Sequence, residues 1–159
     1  FSKMPVELNS EVHRLLTEAG AESYATLIRE IIKDKDGALV YHCSHGVHRT
    51  GTATAIILSL VGVPWESVRQ DYLLSNETRK QEVKKRIIQL GKMTAKTQGI
   101  PFEQVDMTNI KAFYILEGEY IDATRDEIIK NYGSFENYAK KGLGLTGEEI
   151  SALKTTLLN

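Results

Sequence analysis

Ala38-Leu39-Val40-Tyr41-His42-Cys43-Ser44-His45-Gly46-Val47-His48-Arg49-Thr50-Gly51 is the stretch on which the fold turns. Ala38 to His42, after the turn signal Asp36-Gly37, is a short apolar run and predicts a buried strand. Thr52 to Val63 follows as a near-apolar run of about 12 residues with Ser59 and Gly62 inside it. A bilayer span needs about 20 residues, so this run predicts a buried helix and no membrane span. A tight loop between a strand and a helix N-terminus gathers backbone N–H groups, and the helix end adds roughly half a positive charge. Residues 43–49 therefore predict a cradle for a tetrahedral anion such as phosphate.

The side chains in the cradle have matching chemistry. Three of the four histidines and the single cysteine of the chain fall between His42 and Gly51. Amide dipoles and a nearby guanidinium favour thiolate over thiol, so Cys43 is the expected nucleophile. Arg49, six residues on, is expected to return across the loop and pair two oxygens of a transferring phosphoryl group, a geometry lysine does not copy. Backbone amides from Ser44, His45, Gly46, Val47, His48 and Arg49 complete the phosphate-binding set. Gly46 lets the backbone approach the ligand, Gly51 allows close helix packing, and the Thr50 hydroxyl faces the departing sulfur. His42 is expected to buttress the loop from behind. Two other readings stay open: a phosphate-binding module without turnover, and a small zinc site at His42, Cys43, His45 and His48.

Around this segment the chain is 159 residues with 42% apolar and 26% charged residues, the range of one globular domain spanning 1–159. Its net charge of -1 gives no general attraction to nucleic acid, so none is expected as a partner. The lone cysteine makes no intrachain disulfide. The chain opens at Phe1 without a basic-then-apolar leader, which points to a chain that was cut or that starts at an interior position. Separately, the expected location is cytoplasmic, with a secreted effector as the alternative. Helical spacing predicts a first helix with Val12, Leu15 and Leu16 inward and a stop at Gly20, then a second carrying Tyr24, Leu27, Ile28, Ile31 and Ile32. Further helices are expected from Trp65, from Glu77, from Thr108 to about Asn131, after the cap Ser134, and after a capping box at Thr146 to Glu149. Seven basic residues between Arg79 and Lys96 oppose the single Glu82, whereas Glu103 to Glu127 is acidic; 76–112 stands as a candidate lid or insertion, beside the reading of a solvated helix face balanced by its acidic neighbour. One strand has no ladder partner, so the α/β fold requires further strands from an N-terminal segment or a second chain.

The pattern His42-Cys43-x5-Arg49-Thr50-Gly51 resembles the signature of the cysteine-dependent protein tyrosine phosphatases. Asp71 to Glu77, and Tyr132 to Tyr138 continuing through Gly142 to Leu145, look like the C-terminal half of the bacterial branch that acts on phosphotyrosine and, in some members, phosphoinositides. The resemblance implies an α/β phosphatase fold, a phosphocysteine intermediate and no metal or cofactor. The implied substrate is a phosphorylated protein or small phosphoaryl compound. It carries over Cys43, Arg49 and Thr50. Where that branch usually has Ala and a Lys-Asp pair, this chain has His45 and Val47-His48, so the lysine linked with lipid headgroups is not present. Members also extend further at the N-terminus, where the usual general-acid aspartate and the extra strands lie. In its place His48 is the nearest group titrating near neutrality and is the expected proton donor, ahead of Asp71 and Glu7.

Overall fold

The computed structural model describes residues 7–33 and 37–158. The elements are α1 (Leu8–Ala19), α2 (Ala21–Lys33), α3 (His48–Leu60), α4 (Trp65–Thr78), α5 (Lys80–Gln98), a 3-10 turn (Phe102–Gln104), α6 (Thr108–Tyr114), α7 (Gly118–Tyr132), α8 (Phe135–Lys141) and α9 (Gly147–Leu158). α3 runs between two apolar clusters, and its lack of a polar stripe follows from that position. On one side Ala53, Ile56, Ile57 and Leu60 meet Ile28 of α2, Ile128 of α7, Tyr138 of α8 and Leu153 of α9. On the other, Ala55 joins Val47, Val68, Tyr72, Leu116 and Ile121. A buried helix is thus present as His48–Leu60, ending before Val61 to Val63 of the apolar run, and it aims a fixed N-terminus at the loop 43–47.

The expected buried strand at Ala38 to His42 is not formed. Among the described residues no strand is present, and the α/β class gives way there to an all-helical body. Val40 is 86% exposed and Leu39 37%. Without a neighbouring ladder the amides of this run must remain with water, and the run stays at the surface.

Two helix expectations are also corrected. The single helix from Thr108 to about Asn131 is divided: Ile115 and Glu117 are extended, and Gly118 restarts the helix. Asn76 causes the division to hold, its amide donating to the Leu116 carbonyl at 2.8 Å and accepting from the Leu116 N–H at 2.9 Å. α1 buries Asn9, His13 and Thr17 rather than Leu15, which is 61% exposed. That polar stripe is satisfied across the helix interface. Asn9 donates to the Ala112 carbonyl at 2.6 Å, and His13 Nδ1 meets Thr124 Oγ1 at 3.3 Å and Thr52 Oγ1 at 3.1 Å. His13 Nε2 meets Tyr72 Oη and His48 Nδ1, each at 3.2 Å. Apolar periodicity misses such a face, because polar groups with partners bury as well as aliphatic ones.

The two predicted caps are in place. Ser134 accepts from the Asn137 N–H at 3.0 Å, and Thr146 and Glu149 exchange backbone-to-side-chain hydrogen bonds at 2.8 and 3.1 Å. Within 76–112, α5 packs through Ala95 against Val105 and Ile110, a small core separate from the two around α3.

Burial, and then the neighbouring His48, hold the His13 imidazole down at about 3, against an ordinary 6.5. An unfolded chain takes up this proton near pH 6.5 while the folded chain does not, so the contribution to stability is complete above pH 6.5 and is lost as pH falls toward 3. His13→Ala is expected to lower the unfolding free energy by about 3 kcal/mol, from the cavity and the orphaned hydroxyls. It should also flatten the acid limb of stability against pH, both read from urea titrations across that range.

Candidate active site

Four loop residues, 44–47, turn the chain from Cys43 into α3. Gly46 takes a φ of 68°, the left-handed region that a glycine enters without strain. Val47 then drives its side chain into the core at 3% exposure, and its carbonyl accepts from the Gly51 N–H at 2.8 Å. One turn on, a Cβ at Gly51 would lie 2.8 Å from the Tyr72 ring, so α3 and α4 meet there without a side chain between them. No side chain caps the start of α3 and no carboxylate stands in its first turn. The amides there remain available to an anion.

Those amides converge on sulfur. Burial pushes the Cys43 thiol up, but the Thr50 side chain and the backbone N–H groups of Thr50, His45 and Gly46 outweigh it and bring the thiol to about 6. At neutral pH the thiolate predominates. The Thr50 hydroxyl is buried and acts on the sulfur without forming a hydrogen bond of ordinary geometry. Cys43, Arg49 and Thr50 together line a cavity of about 270 Å³, whose far wall is Ser23, Tyr24 and Leu27 of α2. A larger cavity of about 510 Å³ beside α5, lined by Val83, Ile87, Ile88 and Ile115 with Lys80 and Lys84, contains no nucleophile poised in this way.

The other expected residues fall at different distances from this centre. Ser44 and His45 are exposed on the loop, and the His45 ring stands edge-on to Phe113 and Tyr114 at 6.0 Å from each. His42 is exposed, and its Nδ1 donates to the carbonyl of the adjacent Cys43 at 3.1 Å. His48 is turned away from the cavity, its Nδ1 at 3.2 Å from His13 Nε2. Burial lowers its pKa, and a hydrogen bond to the Phe113 backbone only partly offsets this. The imidazole is therefore neutral at pH 7 and engaged with α1. Asp71, exposed, borders a separate cavity of about 60 Å³ with Gly46, Thr50 and Gly51, and Glu7 is exposed at the start of α1. The four ligands of the zinc reading do not converge: among the described residues no three His, Cys, Asp or Glu side chains are placed to hold one ion.

Two contributors were not singled out from the sequence. His13, which grips His48, is signalled only by the i, i+4, i+8 spacing of Asn9, His13 and Thr17. Tyr24, on the cavity wall, is indistinguishable in sequence from the apolar residues around it.

The profile of the tyrosine phosphatase family matches residues 3–159, and the chain belongs to that family. It is similar to the triple specificity protein phosphatase PtpB of Mycobacterium tuberculosis, 29% identical over 120 residues, covering 74% of this chain and 42% of the relative. A protein of Cupriavidus necator named for tyrosine-protein phosphatase activity is 27% identical over 122 residues, 77% of this chain and 40% of the relative. A tyrosine-protein phosphatase of Nostoc commune is 33% identical over 52 residues, 33% of this chain and 18% of the relative. The match thus spans less than half of each relative's length.

The rate of Cys43 alkylation by iodoacetamide is expected to rise with pH through an inflection near 6. Thr50→Val removes the hydroxyl that favours the thiolate, so its inflection should lie at higher pH.

Proposed function

We propose that the Cys43 cavity is the active site of a phosphomonoester hydrolase that removes phosphate from phosphotyrosine, or from a comparable phosphoaryl group, through a phosphocysteine intermediate. The observation that carries this reading is the convergence of the Thr50, His45 and Gly46 amides on a sulfur that shares its cavity with Arg49. In the first step the Cys43 thiolate attacks phosphorus. The P–S bond forms, the P–O bond to the aryl group breaks, and the phenolate leaves and takes a proton from solvent. In the second, the oxygen of water attacks phosphorus and gives its proton to solvent, the P–S bond breaks, and phosphate departs while Cys43 returns to thiolate.

The residues act on different parts of that sequence. Arg49 and the loop amides from Ser44 to Arg49 stabilise the equatorial oxygens, where charge accumulates in both transition states. The Thr50 hydroxyl supports the sulfur as it leaves in the second step. His48 enters as the residue that ties the loop to α1, since its Nδ1 is engaged with His13 and its ring does not line the cavity. An aryl leaving group is compatible with this arrangement, because a phenolate departs with less need of protonation than an alkoxide.

The same reading includes an α/β sheet to which Ala38 to His42 contributes one strand, completed by an N-terminal segment or a second chain. Its support is the exposure of Val40 and Leu39 on an apolar run. Residues 76–112 are proposed as a lid or insertion, supported by the small core that α5 builds with Val105 and Ile110.

With p-nitrophenyl phosphate the full-length protein should release a burst of nitrophenol stoichiometric with enzyme. Cys43→Ser should abolish turnover while orthovanadate still binds, and Arg49→Lys should lower kcat by about 10²–10³. Turnover that persists in Cys43→Ser would refute the mechanism. Vanadate binding without turnover in the unaltered protein would identify a binding module instead.

A further inference from the structure

His13 of α1 is fully buried and takes no part in the mechanism above, yet it meets both ends of the first turn of α3. Its Nε2 lies 3.2 Å from His48 Nδ1, and its Nδ1 lies 3.1 Å from Thr52 Oγ1, four residues on. Arg49, Thr50 and Gly51 fall between these two anchors. At Gly51 the turn rests on the Tyr72 ring, whose Oη is also 3.2 Å from His13 Nε2. The Arg49 guanidinium and the Thr50 N–H that acts on the Cys43 sulfur both issue from this turn, so their directions depend on where it is held.

The protons of the cluster follow from counting. A neutral imidazole has one N–H and one lone pair. Thr124 donates to the His13 carbonyl at 3.4 Å, so donation to His13 Nδ1 falls to Thr52. The His13 N–H is then on Nε2, facing His48 Nδ1 and Tyr72 Oη. His48 in turn donates to the Phe113 backbone, which leaves its Nδ1 lone pair for His13. Burial keeps both rings neutral at pH 7, so this order holds throughout the working range.

We infer that His13 is a positioning residue for the phosphate cradle: as its Nε2–H tautomer it binds His48 and Thr52 at once, and so fixes the turn from which Arg49 and the Thr50 amide reach phosphorus and sulfur. The inference rests on the phosphatase reading and deepens it. His13 itself touches neither the thiolate nor the substrate. A displacement of about 1 Å caused far from the chemistry can slow a reaction by up to about 10²-fold, so the clamp acts on rate as well as on stability.

Glutamine and asparagine at position 13 separate the clamp from the packing. His13→Gln carries an amide N–H to the place of Nε2, whereas His13→Asn reaches only the place of Nδ1 and leaves His48 without its donor. In the full-length protein with p-nitrophenyl phosphate, His13→Asn should lower kcat about tenfold with little change in KM, and should move the pH inflection of Cys43 alkylation upward by about one pH unit. His13→Gln should recover most of both. The imidazole ¹⁵N resonances of the unaltered protein provide a measurement that does not depend on how either variant folds: at neutral pH His13 should have a protonated Nε2 and an unprotonated Nδ1. A protonated Nδ1, equal losses in the two variants, or an unchanged kcat and inflection in His13→Asn would overturn the role of His13 and leave the phosphatase reading standing. Absence of turnover in the unaltered protein would overturn the phosphatase reading, with it the claim on rate, while the alkylation inflection and the ¹⁵N resonances still decide whether His13 holds the turn.

Discussion

The position of α3 is the constraint on which the rest of the molecule depends. Ile56 and Ile57 face one apolar cluster while Ala55 faces another, so the helix cannot tilt or slide without opening two cores. Close packing makes such movement costly, since a void of even one methylene is felt. The loop 43–47 inherits that rigidity at both ends of its turn: Val47 is held by the core, and the Gly51 N–H closes on the Val47 carbonyl. An anion cradle made of backbone amides works only if the amides do not have to be reoriented when charge arrives. In this chain the orientation is fixed by apolar packing several residues away from the charge.

Two opposing effects meet at Cys43. Burial disfavours the thiolate, and the Thr50 side chain with three backbone N–H groups favours it, with the second winning. The winning contributions are short-range and directional, and they come from residues spaced along the loop, so they exist only when the loop is folded. A similar balance has the opposite outcome at His13, where burial dominates and keeps the imidazole neutral. Neutrality suits its position, because an imidazole facing two threonine hydroxyls, a tyrosine and a second histidine can both donate and accept. The charged centre and the uncharged one are linked through His48, which begins α3 and reaches His13.

The motif from His42 to Gly51 was legible because its chemistry is local: nucleophile, turn glycine and arginine lie within one loop and one helical turn. The caps at Ser134 and Thr146 were legible for the same reason. The helix from Thr52 was legible because an apolar run of that length has few alternatives. The break at Leu116 was not, since the Asn76 amide that stabilises it comes from another helix. Nor was the polar stripe of α1, whose partners lie on α3, α4, α6 and α7. The strand expected at Ala38 to His42 depends on a ladder partner that no described residue supplies, because a strand is a property of a pair. The proton-donor expectation for His48 followed from an imidazole's titration near neutrality, whereas the ring's contact with His13 on α1 is set by tertiary packing.

The two glycines that frame the loop resist replacement for unrelated reasons. At Gly46 nothing lies within 4 Å of where a Cβ would stand, so the only obstacle is torsional, and asparagine, which tolerates a left-handed backbone, is the residue best able to substitute. At Gly51 the backbone is ordinary helix and the obstacle is the Tyr72 ring. A saturation library of this chain should therefore return a narrow but chemically defined set at the first position. At the second, a substitute becomes acceptable only together with a smaller side chain at position 72, a form of epistasis that neither site would reveal by itself.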